Sequence, residues 1–234
     1  MPSELNIFPR AMSLAVHELR TPVTVVAGYL RMVLREQAGP LTDTQRKMLE
    51  EADRSCSRIN ALVSEMSELG KLESGDIAVA QAEFDLAALI TELASDMQEG
   101  SDRGVGLEVR GVEKPVIVVG DRTRLAAALK ALMQAALRER GEPGVIVVNC
   151  STTSDAGQQW ALVAIGEEPV TTALAAVAGG GRPPFEEWRG GLGLALPVGR
   201  RVIEAHGGAL WSAPGETPKS GSALRLPLGS PGAS

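Results

Sequence analysis

Several residue types are scarce in this sequence, and each shortage narrows the classes of protein to consider. Aromatic residues make up only 3% of the 234 residues, which argues against a surface that stacks the bases of single-stranded nucleic acid. The formal net charge is −6, so the chain lacks the positive charge of a general nucleic-acid binder. No run of about 18 apolar residues occurs, and we therefore expect no segment that spans a membrane.

Cysteine is also scarce. Cys56 and Cys150 are far apart and lack the spacing of metal ligands, so we interpret both as reduced packing residues and expect no metal site built on them. The first residues show no signal-peptide pattern, and we expect a cytoplasmic chain. Apolar residues, by contrast, amount to 44% of the sequence, which is enough for a hydrophobic core.

The first third of the sequence has the apolar periodicity of two long helices. The first helix has apolar residues at intervals of three and four, after an initial step of four, at Met12, Val16, Leu19, Val23, Val26, Leu30 and Val33. This spacing is typical of the seam of a helical bundle. Gly39-Pro40 stops the pattern, and Thr42 with Gln45 predicts a capping box at the start of a second helix.

The second helix carries a similar seam. Its positions are Met48, Ala52, Ser55, Ile59, Leu62, Met66 and Leu69. Because a short loop joins the two helices, they must lie antiparallel as a hairpin. A hairpin alone leaves each seam half covered, so we predict a homodimer that closes a four-helix bundle. The alternative is that the C-terminal domain covers the seam.

After Gly75 the sequence changes to mixed strands and helices. We expect helices near 85–99, 122–140 and 194–205, strands near 105–112, 116–119, 145–149, 160–165, 209–212 and 222–227, and an irregular stretch over 168–191. Elements mixed in this way predict an α/β sandwich in which helices cover a mixed sheet. The predicted domains are a helical hairpin over 1–75, an α/β domain over 76–229 and a tail over 230–234.

The first helix also carries a chemically suggestive group. His17 directly follows the seam residue Val16, so it lies on the flank of the apolar stripe, where solvent reaches it. A neutral imidazole is a good nucleophile toward phosphorus, and the adjacent Glu18 could accept the other ring proton. Thr21 lies one turn further on the same face. Pro22 cannot donate to the carbonyl of Glu18, which predicts a bend just past the histidine.

The block His-Glu-Leu-Arg-Thr-Pro at 17–22 resembles the phosphoacceptor box of sensor histidine kinases, and the hairpin resembles their dimerisation and histidine-phosphotransfer domain. The resemblance implies that His17 is phosphorylated from ATP, that Glu18 acts as the base, and that the phosphoryl group passes to an aspartate of a response-regulator receiver domain. It also implies a phosphatase role for Glu18 and Thr21, in which the threonine orients water.

The C-terminal part resembles the ATP-binding domain of the same kinases. Residues 189–208 resemble the second glycine box, its helix and the His-Gly-Gly end, which implies that Gly191, Leu192, Gly193 and Leu194 lie against phosphate, as glycines before a helix allow. Arg138 keeps a basic position of the family's asparagine box. Glu167 stands where the family has the aspartate that accepts a hydrogen bond from the adenine amine. His206 matches a structural histidine.

This sequence departs from the family at several positions of the ATP site. The two asparagine positions are Ala131 and Ala135, and a methyl group cannot ligate Mg²⁺, which prefers oxygen. Pro169 and Thr171 replace glycines of the first glycine box, so the close backbone approach is lost there. Arg189 replaces the first glycine of the second box. We therefore expect binding of ATP and Mg²⁺ to be weak or absent.

Three hypotheses for function remain open on the sequence. The first is an active two-component histidine kinase that transfers phosphoryl groups from ATP to His17 and on to a response regulator. The second is a degenerate kinase that binds ATP weakly or not at all and acts as a phosphotransfer relay or response-regulator phosphatase. The third is a non-catalytic dimeric scaffold that binds response regulators or another kinase.

Overall fold

The computed structural model describes residues 7–75, 80–213 and 221–229. The chain divides into two compact units, Met1–Ile77 and Ala78–Ser234. The predicted start of the second domain at residue 76 and the predicted tail at 230–234 lie outside the described residues. The fold class is confirmed, since two long helices precede a mixed sheet with helices.

The first unit is a pair of long helices, α1 (Ile7–Leu34) and α2 (Asp43–Ser74). The predicted capping box is present, because the Thr42 side chain accepts from the Gln45 backbone N–H while the Gln45 side chain accepts from the Thr42 N–H. Each half of the box satisfies a backbone donor that the first helical turn leaves free. Gly75 ends α2 in the left-handed conformation, with φ of 71°.

The apolar seam of α1 is buried on one side and exposed on the other. Val16 and Ala27 are buried in the part of α1 that packs against α2. Leu19 and Val26, which are seven residues apart and so share one heptad position, stay 44% and 49% exposed. The hairpin therefore covers one side of the seam and leaves an apolar stripe on the other.

The second unit is built on a five-stranded mixed sheet in the order β2-β4-β5-β7-β6. Its strands are β2 (Val105–Arg110), β4 (Gly144–Asp155), β5 (Gln158–Gly166), β6 (Ala209–Ser212) and β7 (Ser222–Pro227). The β2–β4 pair is parallel, while β4–β5, β5–β7 and β6–β7 are antiparallel. The short strands β1 (Ala82–Asp85) and β3 (Ile117–Gly120) form a separate antiparallel pair.

Helices α3 (Leu86–Ser95), α4 (Arg122–Glu139) and α6 (Ala195–Ala205) complete the predicted sandwich. Helix α4 contacts β2, β4 and β5. It also packs closely on α6, where a Cβ added at Gly199 would lie 3.4 Å from the Ala128 Cα. Glycine at that position therefore lets the two helices approach each other on one side of the sheet.

The prediction of an irregular stretch over 168–191 is wrong for its first part, because Glu168–Ala176 form a helix, α5. Pro169 lies in the first turn, where its missing N–H costs nothing. The helix places Leu174, which is fully buried, in a cluster with Leu162 and Ala164 of β5 and Trp211 of β6. The Trp211 indole N–H donates to the Leu174 carbonyl at 3.2 Å.

We predict that Leu174→Ala destabilises the second unit, because it leaves a cavity between α5 and the sheet. The expected loss is about 2–5 kcal/mol in the free energy of unfolding, measured by urea titration with tryptophan fluorescence. Val145→Ala is the control, since Val145 is 47% exposed on β4 and its truncation should cost less than about 1 kcal/mol. Equal stability of the two variants would contradict the packing of α5 described above.

Candidate functional sites

The histidine predicted to react is on the surface of α1. The side chains of His17 and Glu18 are 79% and 71% exposed, and 3.5 Å separates the His17 Nδ1 atom from the Glu18 Oε1 atom. Val16, directly before the histidine, is buried. The alternation between a buried seam residue and an exposed neighbour therefore places the imidazole at the edge of the apolar stripe with a carboxylate beside one of its two ring nitrogens.

The residues that follow His17 continue the same exposed face. Thr21 is exposed one turn later, and α1 continues through Pro22 to Leu34. Pro22 lacks the N–H that would otherwise bond to the Glu18 carbonyl. The proline does not end the helix, and the bend expected at this point stays a prediction.

The two alanines of α4 are inside the second unit. Ala131 and Ala135 are both buried, Ala135 completely, and neither offers an oxygen to a ligand. The backbone of Gly190 lies directly over Ala135, since a Cβ added at Gly190 would be 3.0 Å from the Ala135 Cα and 3.1 Å from its Cβ. Position 135 is thus next to the loop over residues 189–194, here called the glycine loop.

The glycine loop has the backbone conformation that only glycine adopts without strain. Gly190, Gly191 and Gly193 have φ angles of 67°, 61° and 65°, in the left-handed region. The Leu192 carbonyl accepts from the Ala195 N–H at 3.3 Å, and Leu194 is the N-cap residue of α6 without a side-chain capping bond. The loop therefore leads directly into the N-terminus of α6.

Two of the predicted nucleotide-binding residues meet in the structure. One guanidinium nitrogen of Arg138, Nη1, donates to the Gly191 carbonyl at 3.3 Å. Its Nε lies 3.2 Å from the Glu99 carboxylate. Arg138 thus joins the end of α4 to the glycine loop, and its charge is partly neutralised by Glu99.

Glu167, another of the predicted nucleotide-binding residues, is paired elsewhere. Its carboxylate accepts a hydrogen bond from the guanidinium of Arg140, which also donates to the Pro143 carbonyl at 3.2 Å. Gly144 makes room for this arginine, because a Cβ there would lie 2.1 Å from the Arg140 Nη2. The carboxylate expected at the adenine amine is therefore engaged by a cation of the same unit.

Arg189 has a role that the sequence did not reveal. Its side chain is only 6% exposed, with Nη1 2.9 Å from the Glu139 carboxylate, and its guanidinium lies 5.6 Å from the centroid of the Phe185 ring. Burial lowers the pKa of Arg189, and the Glu139 charge opposes that change. The only signal in the sequence was that Arg189 replaces the first glycine of the second glycine box. That replacement does not indicate whether the arginine is buried.

His206 is held by the backbone on both sides of its ring. Its Nδ1 lies 2.7 Å from the Val202 carbonyl oxygen, and its Nε2 accepts from the Asp121 N–H at 2.9 Å. The two bonds fix the tautomer with the proton on Nδ1. His206 therefore links α6 to the start of α4, and both ring nitrogens are occupied.

None of the helices in the described part of the chain has the length and apolar character that crossing a bilayer requires. The same residues include no group of three or more histidine, cysteine, aspartate or glutamate side chains placed to hold a metal ion.

Residues 10–75 match the family described as His Kinase A (phospho-acceptor) domain. The hybrid signal transduction protein dokA of Dictyostelium discoideum is 28% identical over 207 residues, which cover 82% of this chain and 12% of dokA. The histidine-protein kinase BarA of Escherichia coli is 30% identical over 135 residues, which cover 56% of this chain and 14% of BarA. The chain thus spans a small part of these relatives.

Solved structures share the fold along nearly the whole chain. Full-length ShkA, determined in complex with AMPPNP, has a TM-score of 0.71 and 24% identity, with coverage of 96% of this chain and 47% of that one. Histidine kinase ThkA, determined in complex with the response regulator protein TrrA, has a TM-score of 0.55 and 23% identity, with coverage of 96% and 63%. At these identities the likeness is one of fold.

We predict that Ala135→Asn destabilises the second unit, because the larger side chain must displace the backbone of Gly190. The expected loss is about 1–3 kcal/mol in the free energy of unfolding, as for other overpacked positions, measured by urea titration. Ala127→Asn on the exposed face of α4 is the matched control and should cost only the difference in helix propensity, about 0.5–0.7 kcal/mol. If Ala135→Asn proved as stable as the control, the loop would not be packed on α4.

Proposed function

We propose a function from one premise: the chain carries the core of a sensor histidine kinase, in which a His Kinase A segment precedes an ATPase-like fold. In this proposal the chain is a cytoplasmic component of a two-component signalling system. His17 takes a phosphoryl group from ATP and passes it to an aspartate of a response-regulator receiver domain. The observation that carries the proposal is the exposed His17–Glu18 pair on α1.

The geometry of the pair defines the chemical step. The Glu18 carboxylate lies beside Nδ1 of His17, so it can accept the proton from that nitrogen and leave Nε2 as the nucleophile. Nε2 then forms a bond to the γ-phosphorus as the bond from phosphorus to the β–γ bridging oxygen breaks, and ADP leaves with that electron pair. A positioned base of this kind contributes about 10²–10⁴-fold to a proton-transfer step.

Thr21 supports a second activity, removal of the phosphoryl group from a response regulator. It is exposed one turn after His17, and residues four apart on a helix are neighbours. A hydroxyl at this place can orient a water molecule against the phosphoryl group of a bound regulator, with Glu18 next to it. The proposal therefore includes phosphatase action by Glu18 and Thr21.

An exposed apolar stripe supports docking of the regulator on α1. Val25, Tyr29 and Met32 are 51%, 66% and 49% exposed. They extend the face of His17 and Thr21 at steps of three and four residues, so they share one side of the helix. A receiver domain that covers this stripe brings its aspartate close to His17.

A separate stripe supports the homodimer. Leu19 and Val26 on α1 are about half exposed, as is Ile59 on α2, and Met48 is 69% exposed. Apolar area buried between two copies contributes about 25 cal/mol for each Å². A second hairpin placed on this stripe closes a four-helix bundle.

The residues of α4 do not fit a Mg²⁺ ion. Ala131 and Ala135 carry no oxygen ligand, and the backbone of Gly190 lies against Ala135. This packing favours a second candidate function, in which the chain does not use ATP and His17 exchanges phosphoryl groups only with partner proteins, as a relay or as a regulator phosphatase.

We predict that Val26→Glu disrupts the dimer, since it places a charge in the apolar interface. Light scattering at micromolar concentration should give the mass of a dimer for the wild type and of a monomer for Val26→Glu. Val25→Glu is the matched control. Val25 has nearly the same exposure as Val26 but belongs to the apolar stripe of Val25, Tyr29 and Met32, on which we place the regulator. This variant should remain dimeric and transfer phosphoryl groups to a receiver domain at least about tenfold more slowly. A monomeric wild type would refute the bundle.

We predict that His17→Gln abolishes phosphorylation from every donor. Labelled ATP with Mg²⁺ and a labelled, phosphorylated receiver domain are offered separately to wild type and variant. Label from both donors on the wild type indicates a kinase, and label from the receiver domain alone indicates a relay. Label on His17→Gln from either donor would remove His17 from the mechanism.

A further inference from the structure

We infer that Arg189 and Gly190 close the nucleotide site from within, so that the glycine loop is locked on α4 and a nucleotide enters only when this lock opens. The inference rests on the proposed function, because it concerns the nucleotide site of that proposal. It adds a regulatory contact formed by residues of α4 and the glycine loop.

The first part of the lock is the contact of two backbones. The Gly190 position lies 3.0–3.1 Å, measured from an added Cβ, from the Ala135 Cα and Cβ atoms. A real Cβ at position 190 would therefore be closer to α4 than ordinary van der Waals contact, so this position accepts no larger residue without movement. The small residues at 135 and 190 thus allow the loop to lie close to α4.

The second part is a buried ion pair. The Arg189 guanidinium lies 2.9 Å from the Glu139 carboxylate, with exposed fractions of 6% and 14% for the two side chains. Glu139 is four residues after Ala135, so both lie on the face of α4 that the loop covers. Separating the pair would leave a charge in a poorly solvated place, which is strongly unfavourable. The centroid of the Phe185 ring lies 5.6 Å from the guanidinium.

A third contact holds the next residue of the loop. Arg138 donates to the Gly191 carbonyl at 3.3 Å, so three consecutive loop residues, 189–191, are tied to the last turns of α4. The cations at 138 and 189 could otherwise meet a phosphate. In this structure Arg138 faces Glu99 and Arg189 faces Glu139.

The test removes both charges of the buried pair together, so that the net charge of the protein is unchanged. The variant Arg189→Gly/Glu139→Gln is titrated with ATP by calorimetry, with and without Mg²⁺. We expect it to bind ATP at least about tenfold more tightly than the wild type. Arg182→Gly is the matched control: Arg182 also lies over an aromatic ring, Trp211, at 5.9 Å, but it bonds to the Ala178 carbonyl and should leave ATP affinity unchanged.

Equal ATP affinity of the wild type and a folded double variant would overturn the lock. A gain that Arg182→Gly shares would overturn it too, since the effect would then come from general loosening. Hydrogen exchange gives a second measurement, on Glu139→Gln, which keeps the arginine. The amide of Ala195, which donates to the Leu192 carbonyl of the loop, should exchange at least about tenfold faster than in the wild type, and unchanged exchange refutes the lock.

The lock and the proposed function fail in different ways. Transfer from a phosphorylated receiver domain to His17 needs no nucleotide. Tighter ATP binding by the double variant together with an unlabelled His17 supports the lock and refutes the proposed function. Labelled His17 with no change in ATP affinity supports the proposed function and refutes the lock.

Discussion

The central strand of the second unit is buried on both faces, and the organisation of that unit follows from this constraint. β5 lies between β4 and β7, and its side chains from Ala161 to Ile165 are all buried. Alternate residues of a strand face opposite sides, so such a strand needs helices on each face. α4 and α6 supply one layer, and α5 covers Leu162 and Ala164 on the other. Two residues of the helix that follows β5, Thr171 and Leu174, are therefore committed to the core, and α5 takes the place of a loop there.

Charge pairing completes this arrangement at the C-terminal end of α4. Arg138, Arg140 and Arg189 each face a carboxylate of the same unit, those of Glu99, Glu167 and Glu139 respectively. The pairs differ in burial, and the Arg189 pair is the most deeply buried. A buried pair adds little net stability but fixes the positions of its partners, because either charge alone would be costly. The end of α4 is thus held in one geometry by ion pairs within the second unit.

Periodicity in the sequence was enough to predict the hairpin and most strands, because burial on one face imposes a regular spacing of apolar residues. The exposure of His17 followed in the same way from its position next to Val16. Helix α5 was missed because a run beginning with Pro169 and rich in alanine has no clear period, and only contact with Trp211 and β5 selects the helix. The burial of Arg189 depends on Glu139, fifty residues earlier in the chain, and no local pattern contains that information.

The two sites differ in how much of the chain each one needs. His17, Glu18 and Thr21 lie within five residues on one helix, so their geometry is retained wherever α1 is helical. The proposed nucleotide site depends instead on α4, the glycine loop and the segment after β5, and in this chain each of the three is engaged by other contacts. The relay proposed for this chain uses only the first of these sites. The contacts that position His17 on α1 are therefore separate from those that engage α4 and the glycine loop in the second unit.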